Sequence, residues 1–270
     1  MKYNTYMNIN ETALVDYAAY NAGMKKSLLD KIFFMDKVDS EVFIDYGCAD
    51  GSLIRFLMTL FPEYEYYGYD ISEEMIQIAK SNNPDIADNF STDWNFISSK
   101  ISQNKKSTVI LSSIIHEVYS YGTTSDVEEF WNRIFNSGFD HIVLRDMMPS
   151  KTMDRTSDIN DISKIYKRAN HKNLFDFENV WGSVENNKNM THFLLKYRYT
   201  ENWDREVREN YIPITREDFL SIISDDYDIT FHEHFTLPYF KTVVKKDFDI
   251  EIKDNTHLKL VLKKRSNERS

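Results

Sequence analysis

Three of the seven glycines in this 270-residue chain, Gly47, Gly51 and Gly68, crowd into one short stretch. Two of them punctuate Asp45-Tyr46-Gly47-Cys48-Ala49-Asp50-Gly51. There the apolar run Val42-Phe43-Ile44 ends in an acid and gives way to Leu53, Ile54, Leu57 and Leu60 at helical spacing. Glycine accepts positive φ and lets a ligand approach the backbone, while the start of a helix offers unpaired N–H groups and a positive dipole end. Asp70 closes the next run, Tyr66 to Tyr69, about 20 residues beyond the turn, where a carboxylate can accept hydrogen bonds from ribose hydroxyls. The two features together fit an adenosine-containing ligand.

A second constellation suits proton chemistry. Ser112-Ser113-Ile114-Ile115-His116-Glu117-Val118-Tyr119 follows the buried run Thr108-Val109-Ile110-Leu111. An imidazole titrates near neutrality, so His116 can take a proton from a hydroxyl, with Glu117 orienting it or binding substrate; a structural hydrogen-bonding histidine is the rival reading. Arg145-Asp146 leaves the next run, His141 to Leu144, where Arg145 can hold an anionic group or pair with its neighbouring acid. His232 and His234 share one face of an alternating segment, but two ligands without a third do not specify a metal, and none is expected.

These groups need a scaffold. Strand-like runs alternate with helical patterns over more than 100 residues, with Ser72 placed to cap the helix of Met75 and Ile76, and Ser125 with Glu128 as a capping box for the helix of Phe130 and Trp131. Strands connected through helices imply a mostly parallel sheet covered on both faces, an α/β fold. Two helices are expected over residues 10–36, with Tyr17 and Tyr20 on them. Residues 151–213 lack a strand pattern and read as an inserted helical cap. Within it, Trp203 and Tyr211 stand among Glu201 to Glu206 and Glu209-Asn210 as the lining of a substrate pocket would, or as the apolar side of a packed helix. Thr215 with Asp218 opens a further helix, Tyr227 to Phe235 alternates as a strand, and Leu258 to Leu262 forms the last one.

The glycine turn departs from the dinucleotide pattern, since Ala49 replaces one glycine and an acid precedes the first. Here the sequence resembles the class I S-adenosylmethionine-dependent methyltransferases, whose turn reads acid-x-Gly-x-Gly/Ala-x-Gly and whose next strand ends much like Asp70-Ile71-Ser72-Glu73-Glu74-Met75-Ile76. The resemblance covers roughly residues 39–150 and returns weakly near the end. It implies a Rossmann-like, mostly parallel seven-stranded sheet with helices on both faces, and an inserted helical cap between the fifth strand and the last core helix. It further implies S-adenosylmethionine as cofactor, with Asp45, Gly47 and Ala49 on the methionine part, Asp70 on the ribose, and Ile71 and Met75 on the adenine. Asp93-Trp94 stands where the family places an acid-hydrophobe pair at the adenine, and Cys48 and Ser112 complete the expected cofactor set. His116 and Glu117 become the expected catalytic pair, and Tyr119, Arg145, Trp203 and Tyr211 the expected acceptor contacts.

The corresponding division is 1–38 as N-terminal helices over the cofactor site, 39–150 with 214–265 as the core, 151–213 as the cap and 266–270 as a disordered tail. The balance of 33 Lys and Arg against 43 Asp and Glu gives a formal charge of -10, which disfavours a polyanionic partner. A small-molecule acceptor is therefore expected, with an RNA or protein methyltransferase, or a non-catalytic S-adenosylmethionine-binding module, as the alternatives. A single cysteine excludes an internal disulfide and a multi-cysteine zinc site. With no signal-peptide pattern and no apolar run of about 18 to 20 residues, a cytoplasmic location and no membrane partner are expected.

Overall fold

The computed structural model describes residues 28–101 and 104–266. Its centre is β1 (Val42–Tyr46), buried along its whole length. A strand that is apolar on both faces can only lie inside a covered sheet, and β1 pairs in parallel with β2 (Glu65–Tyr69) on one side and β4 (Ser107–Ser112) on the other. The two-residue β3 (Phe90–Ser91) continues beyond β2, and β5 (His141–Met147) lies beside β4. Two antiparallel strands, β6 (Tyr227–Phe235) and β7 (His257–Lys264), complete seven strands in the order β3-β2-β1-β4-β5-β7-β6. The order reverses between β1 and β4, which opens a crevice at the carboxyl ends of these strands.

Alternation along the strands sends successive side chains to opposite faces. One face carries Phe43, Ile110, Val143 and Val261 and packs on α2 (Ser52–Leu60), α3 (Glu73–Asn82) and the segment that includes α1 (Leu28–Lys31). The other carries Ile44, Leu111, Leu144 and Leu260 under α4 (Trp94–Ser98), α5 (Ile115–Tyr121), α6 (Thr124–Asn136) and α11 (Arg216–Ser221). Between β5 and α11 the chain forms α7 (Ile159–Arg168), α8 (His171–Trp181), α9 (Asn187–Lys196) and α10 (Trp203–Glu206). With α12 (Pro238–Phe248), which joins β6 to β7, they enclose a separate core of Ile165, Phe177, Phe193, Val244 and Phe248.

The α/β class and seven-stranded sheet expected from the sequence are present. Ser72 caps α3 by accepting the Met75 N–H at 3.3 Å, as expected. The capping box of α6 sits two residues earlier than the sequence suggested: Thr123 and Asp126 form it, not Ser125 and Glu128. The pattern also gave no sign of α12. The expectations for residues 1–27, including Tyr17 and Tyr20, and for the tail from 267 on lie outside the described residues.

Gly68 shows how closely β2 approaches the turn. A Cβ there would stand 2.8 Å from Cys48 Sγ and nearer still to the Phe90 ring. Neither group can retreat, because Cys48 and Phe90 are both buried. Gly68→Ala is expected to cost about 1–3 kcal/mol of stability through overpacking, to be read from urea unfolding at constant slope.

Candidate active site

The turn after β1 is built by the strand beside it. Gly47 and Cys48 donate their N–H groups to Tyr69 O at 2.7 and 2.9 Å, and Gly51 donates to Cys48 O at 2.9 Å. Gly47, Ala49 and Gly51 all adopt positive φ, so the backbone curls over the end of β1 before α2 begins. Asp70 locks the loop from below: one carboxylate oxygen accepts the Ala49 N–H and the other the Ser72 N–H, both at 2.9 Å. Burial raises the Asp70 pKa against the pull of these donors. Asp45 lies buried under the same turn, its pKa pushed up by burial to about 7, with Lys31 opposing the rise. A buried carboxylate of this kind is stabilised by a cationic ligand group, and the cofactor's amino group is one. The donor set therefore fits S-adenosylmethionine.

Across the crevice, the N-cap of α5 is Ile114, a residue with no side chain able to cap a helix. Asp146, at the end of β5, does so instead, accepting the Ile115 N–H at 2.7 Å and the His116 N–H at 3.3 Å. Its other oxygen lies 2.8 Å from His116 Nδ1, and Glu209 Oε1 lies 3.2 Å from His116 Nε2. A carboxylate only accepts, so both ring nitrogens donate and the ring is an imidazolium. Burial by itself works against that charge, but Asp146 and Glu209 outweigh it and hold the His116 pKa well above its ordinary value. The Tyr211 ring meets His116 edge-on at 5.4 Å, and the Tyr211 hydroxyl bonds Glu206.

Glu117 is the open member of the cluster. Its side chain is 21% exposed, against 3% for Glu209 and 1% for Asp146. Burial and repulsion from Glu209 raise its pKa to about 7, although Arg205 and His116 pull the other way. Arg205 lies 3.6 Å from Glu117 and 3.7 Å from Glu209. Buried Lys196 fixes the loop beyond it, donating to Glu206 O at 2.7 Å and Glu209 O at 2.5 Å. Ligand atoms of His116, Glu117 and Glu209 converge within 4.8 Å of one another, which a divalent cation would tolerate. The Arg205 guanidinium stands close enough to both glutamates to offset their charge.

The structure gathers Asp45, Gly47, Ala49 and Asp70 at the turn, and His116, Glu117 and Tyr211 at the facing cluster. Ile71 is exposed beside the turn and Met75 partly buried on α3. The Cys48 side chain instead points into the core under the turn. Asp93 caps α4 through the Asn95 N–H, while Trp94 packs on Tyr46 and Tyr69. The Tyr119 hydroxyl accepts the Trp131 indole N–H at 3.1 Å. Trp203 belongs to the core of the helical segment and donates to Asp176 at 3.2 Å. Of the paired histidines on β6, His234 approaches Met148 O at 3.1 Å. Sequence reasoning did not assign roles to Asp146 or Glu209; an acid closing β5 beside Arg145 was the available signal for the first.

Residues 44–137 match the family described as a methyltransferase domain. Among solved structures, the pyocyanin biosynthetic protein PhzM aligns with a TM-score of 0.52 at 11% identity, over 91% of this chain and 57% of that one. The plantazolicin methyltransferase BamL, solved with a triazolic desmethylPZN analog and SAH, aligns with a TM-score of 0.49 at 13% identity, over 93% and 88%. The PH0226 protein from Pyrococcus horikoshii OT3 aligns with a TM-score of 0.48 at 12% identity, over 97% and 95%. No curated protein matches the chain. Strand order and the turn after β1 define a Rossmann-like α/β fold. By the family match, residues 44–137 form a methyltransferase domain. Among the described residues, no helix is long and apolar enough to cross a membrane.

Proposed function

We propose that the methyl acceptor is a small molecule, enclosed between the carboxyl ends of β4 and β5 and the helical segment 151–213, and that Glu117 receives its proton. The observation that carries this reading is the closure of the segment on the sheet: Glu209 and Arg205 reach His116 and Glu117 and leave Glu117 as the partly open carboxylate. S-adenosylmethionine supplies an electrophilic methyl group on a sulfonium. Asp45 and the backbone from Gly47 to Ala49 hold the methionine part, and Asp70 holds the ribose. Asp146 and Glu209 keep His116 charged and fixed. His116 and Arg205 in turn keep Glu117 partly ionised near neutral pH, the state a general base needs.

Charge pairing also favours a compact substrate over a polyanion. Lys245 bonds Asp249 at 2.6 Å and Arg265 bonds Asp228 at 2.9 Å, so each of these surface cations is balanced by an acid. The test is transfer of labelled methyl from S-adenosylmethionine into a fractionated cell extract. Label is expected in the low-molecular-weight fraction; label confined to RNA or protein would overturn the reading. Because Arg205 balances the cluster, EDTA is expected to leave the initial rate unchanged, and a rate lost to EDTA and restored by a divalent cation would reassign His116, Glu117 and Glu209 as metal ligands.

A further inference from the structure

Arg145 is a buried guanidinium whose donors are incompletely used. Its side chain is 5% exposed; Nε donates to Asp30 at 2.8 Å and Nη1 to Ser113 Oγ at 3.1 Å. Among the described residues its buried Nη2 has no hydrogen-bond partner, and neither does the buried Oγ of Ser112. Ser112 stands opposite Arg145 in the β4–β5 register, and in-register neighbours of parallel strands point to the same face. Leaving one buried donor unsatisfied costs about 1–3 kcal/mol, so two neighbours left open describe a site that a ligand completes.

The local charge points to the kind of ligand. Asp30 serves both Arg145 and Lys259, whose Nζ lies 2.5 Å from it. Lys31 is buried nearby, its pKa lowered by burial and then by the Arg145 charge. Glu233, 3.4 Å from Lys259, is half exposed and is therefore a screened counter-charge. Arg145 and Lys259 thus share one partly buried carboxylate, while Lys31, near Arg145, is faced by Asp45, Asp146 and Asp50. Strand order points to the ligand's owner. With the ribose and methionine parts held at Asp70 and Asp45 as proposed above, at the ends of β2 and β1, β5, beyond β4, is left to the acceptor.

Resting on the small-molecule reading above, we propose that the acceptor carries an anionic group, best matched by a carboxylate, which is bound by the open edge of Arg145 with Ser112 beside it. The planar guanidinium fork suits the two oxygens of a carboxylate, and a charge-assisted hydrogen bond to its open donor is stronger than one to a neutral group.

The experiment is calorimetric titration of wild type, Arg145→Gln and Ser112→Ala. SAH and methylthioadenosine, which lacks the amino-carboxylate tail, are titrated first; formate, acetate, benzoate and benzamide are then titrated into SAH-saturated protein. At least one carboxylate is expected to bind the SAH-saturated wild type while benzamide does not. That binding is expected to weaken about tenfold or more in Arg145→Gln and about threefold in Ser112→Ala, the losses of a charged and a neutral hydrogen bond. SAH affinity in Arg145→Gln is expected within about threefold of wild type, which also reports that the variant is folded. Equal binding of benzoate and benzamide, or no carboxylate binding at all, would overturn the proposal. So would loss of SAH but not methylthioadenosine affinity in Arg145→Gln, since the anion would then be the cofactor's own. Carboxylate binding with label confined to RNA or protein in the transfer assay would remove the small-molecule reading and leave the anion site standing.

Discussion

Asp70→Ala is expected to weaken SAH binding about a hundredfold, the consequence of losing two hydrogen bonds to a charged group at about 1.5–3 kcal/mol each, partly recovered by water. The carboxylate does two things at once. It accepts the Ala49 and Ser72 N–H groups, which fixes the positive-φ turn, and in the proposed site it also meets the ribose hydroxyls. Asp70→Asn separates the two. The amide keeps the size of the side chain but turns an NH2 toward one of the two backbone N–H donors, so it is expected to disturb the turn nearly as much as alanine. Calorimetry with SAH, beside a thermal melt without ligand, distinguishes loss of the site from loss of the fold. SAH affinity within about threefold of wild type in Asp70→Ala would remove Asp70 from the cofactor site, because that is less than one ordinary hydrogen bond.

The turn and the acid that locks it were legible because they are local in sequence. Asp45, the glycine turn and Asp70 belong to one strand-helix-strand unit, and buried parallel strands announce themselves as continuous apolar runs, as Val42-Phe43-Ile44 does. β3 escaped because two residues carry no periodicity. α12 escaped because its buried positions, Phe240, Val244 and Phe248, face the helical segment and lie within a stretch rich in lysine and aspartate. The acceptor half depends on contacts between distant parts of the chain. Glu209 meets His116 only because the helical segment folds back on α5, and no pattern near either residue announces the pair. Trp203 and Tyr211 illustrate the same limit. Both are large aromatics in a polar stretch, yet one fills the core of the segment and the other lies against His116. The base role expected for His116 meets a specific obstacle, since its two nitrogens are engaged by carboxylates; the open carboxylate beside it takes that role in the mechanism proposed above.

With the acceptor identified by the labelling experiment, Glu117→Gln is expected to lower kcat/KM by about 10²–10⁴, the range for losing a positioned general base. The pH dependence is the sharper readout. A base acts when deprotonated, and the Glu117 pKa stands at about 7, so the wild-type rate is expected to rise with pH through about 7 and level off above it. Glutamine cannot titrate, and its profile is expected to lack that limb. His116→Gln supplies the counter-test: it removes a positive charge that lowers the Glu117 pKa, so its limb is expected to move to higher pH while the plateau falls less than in Glu117→Gln. A merely structural Glu117 would lower the rate at every pH and leave the limb in place. If Glu117→Gln keeps more than about a tenth of the rate, the proton leaves by another route, to water or from an acceptor that needs no base, and the cluster's task is to hold the helical segment against the sheet.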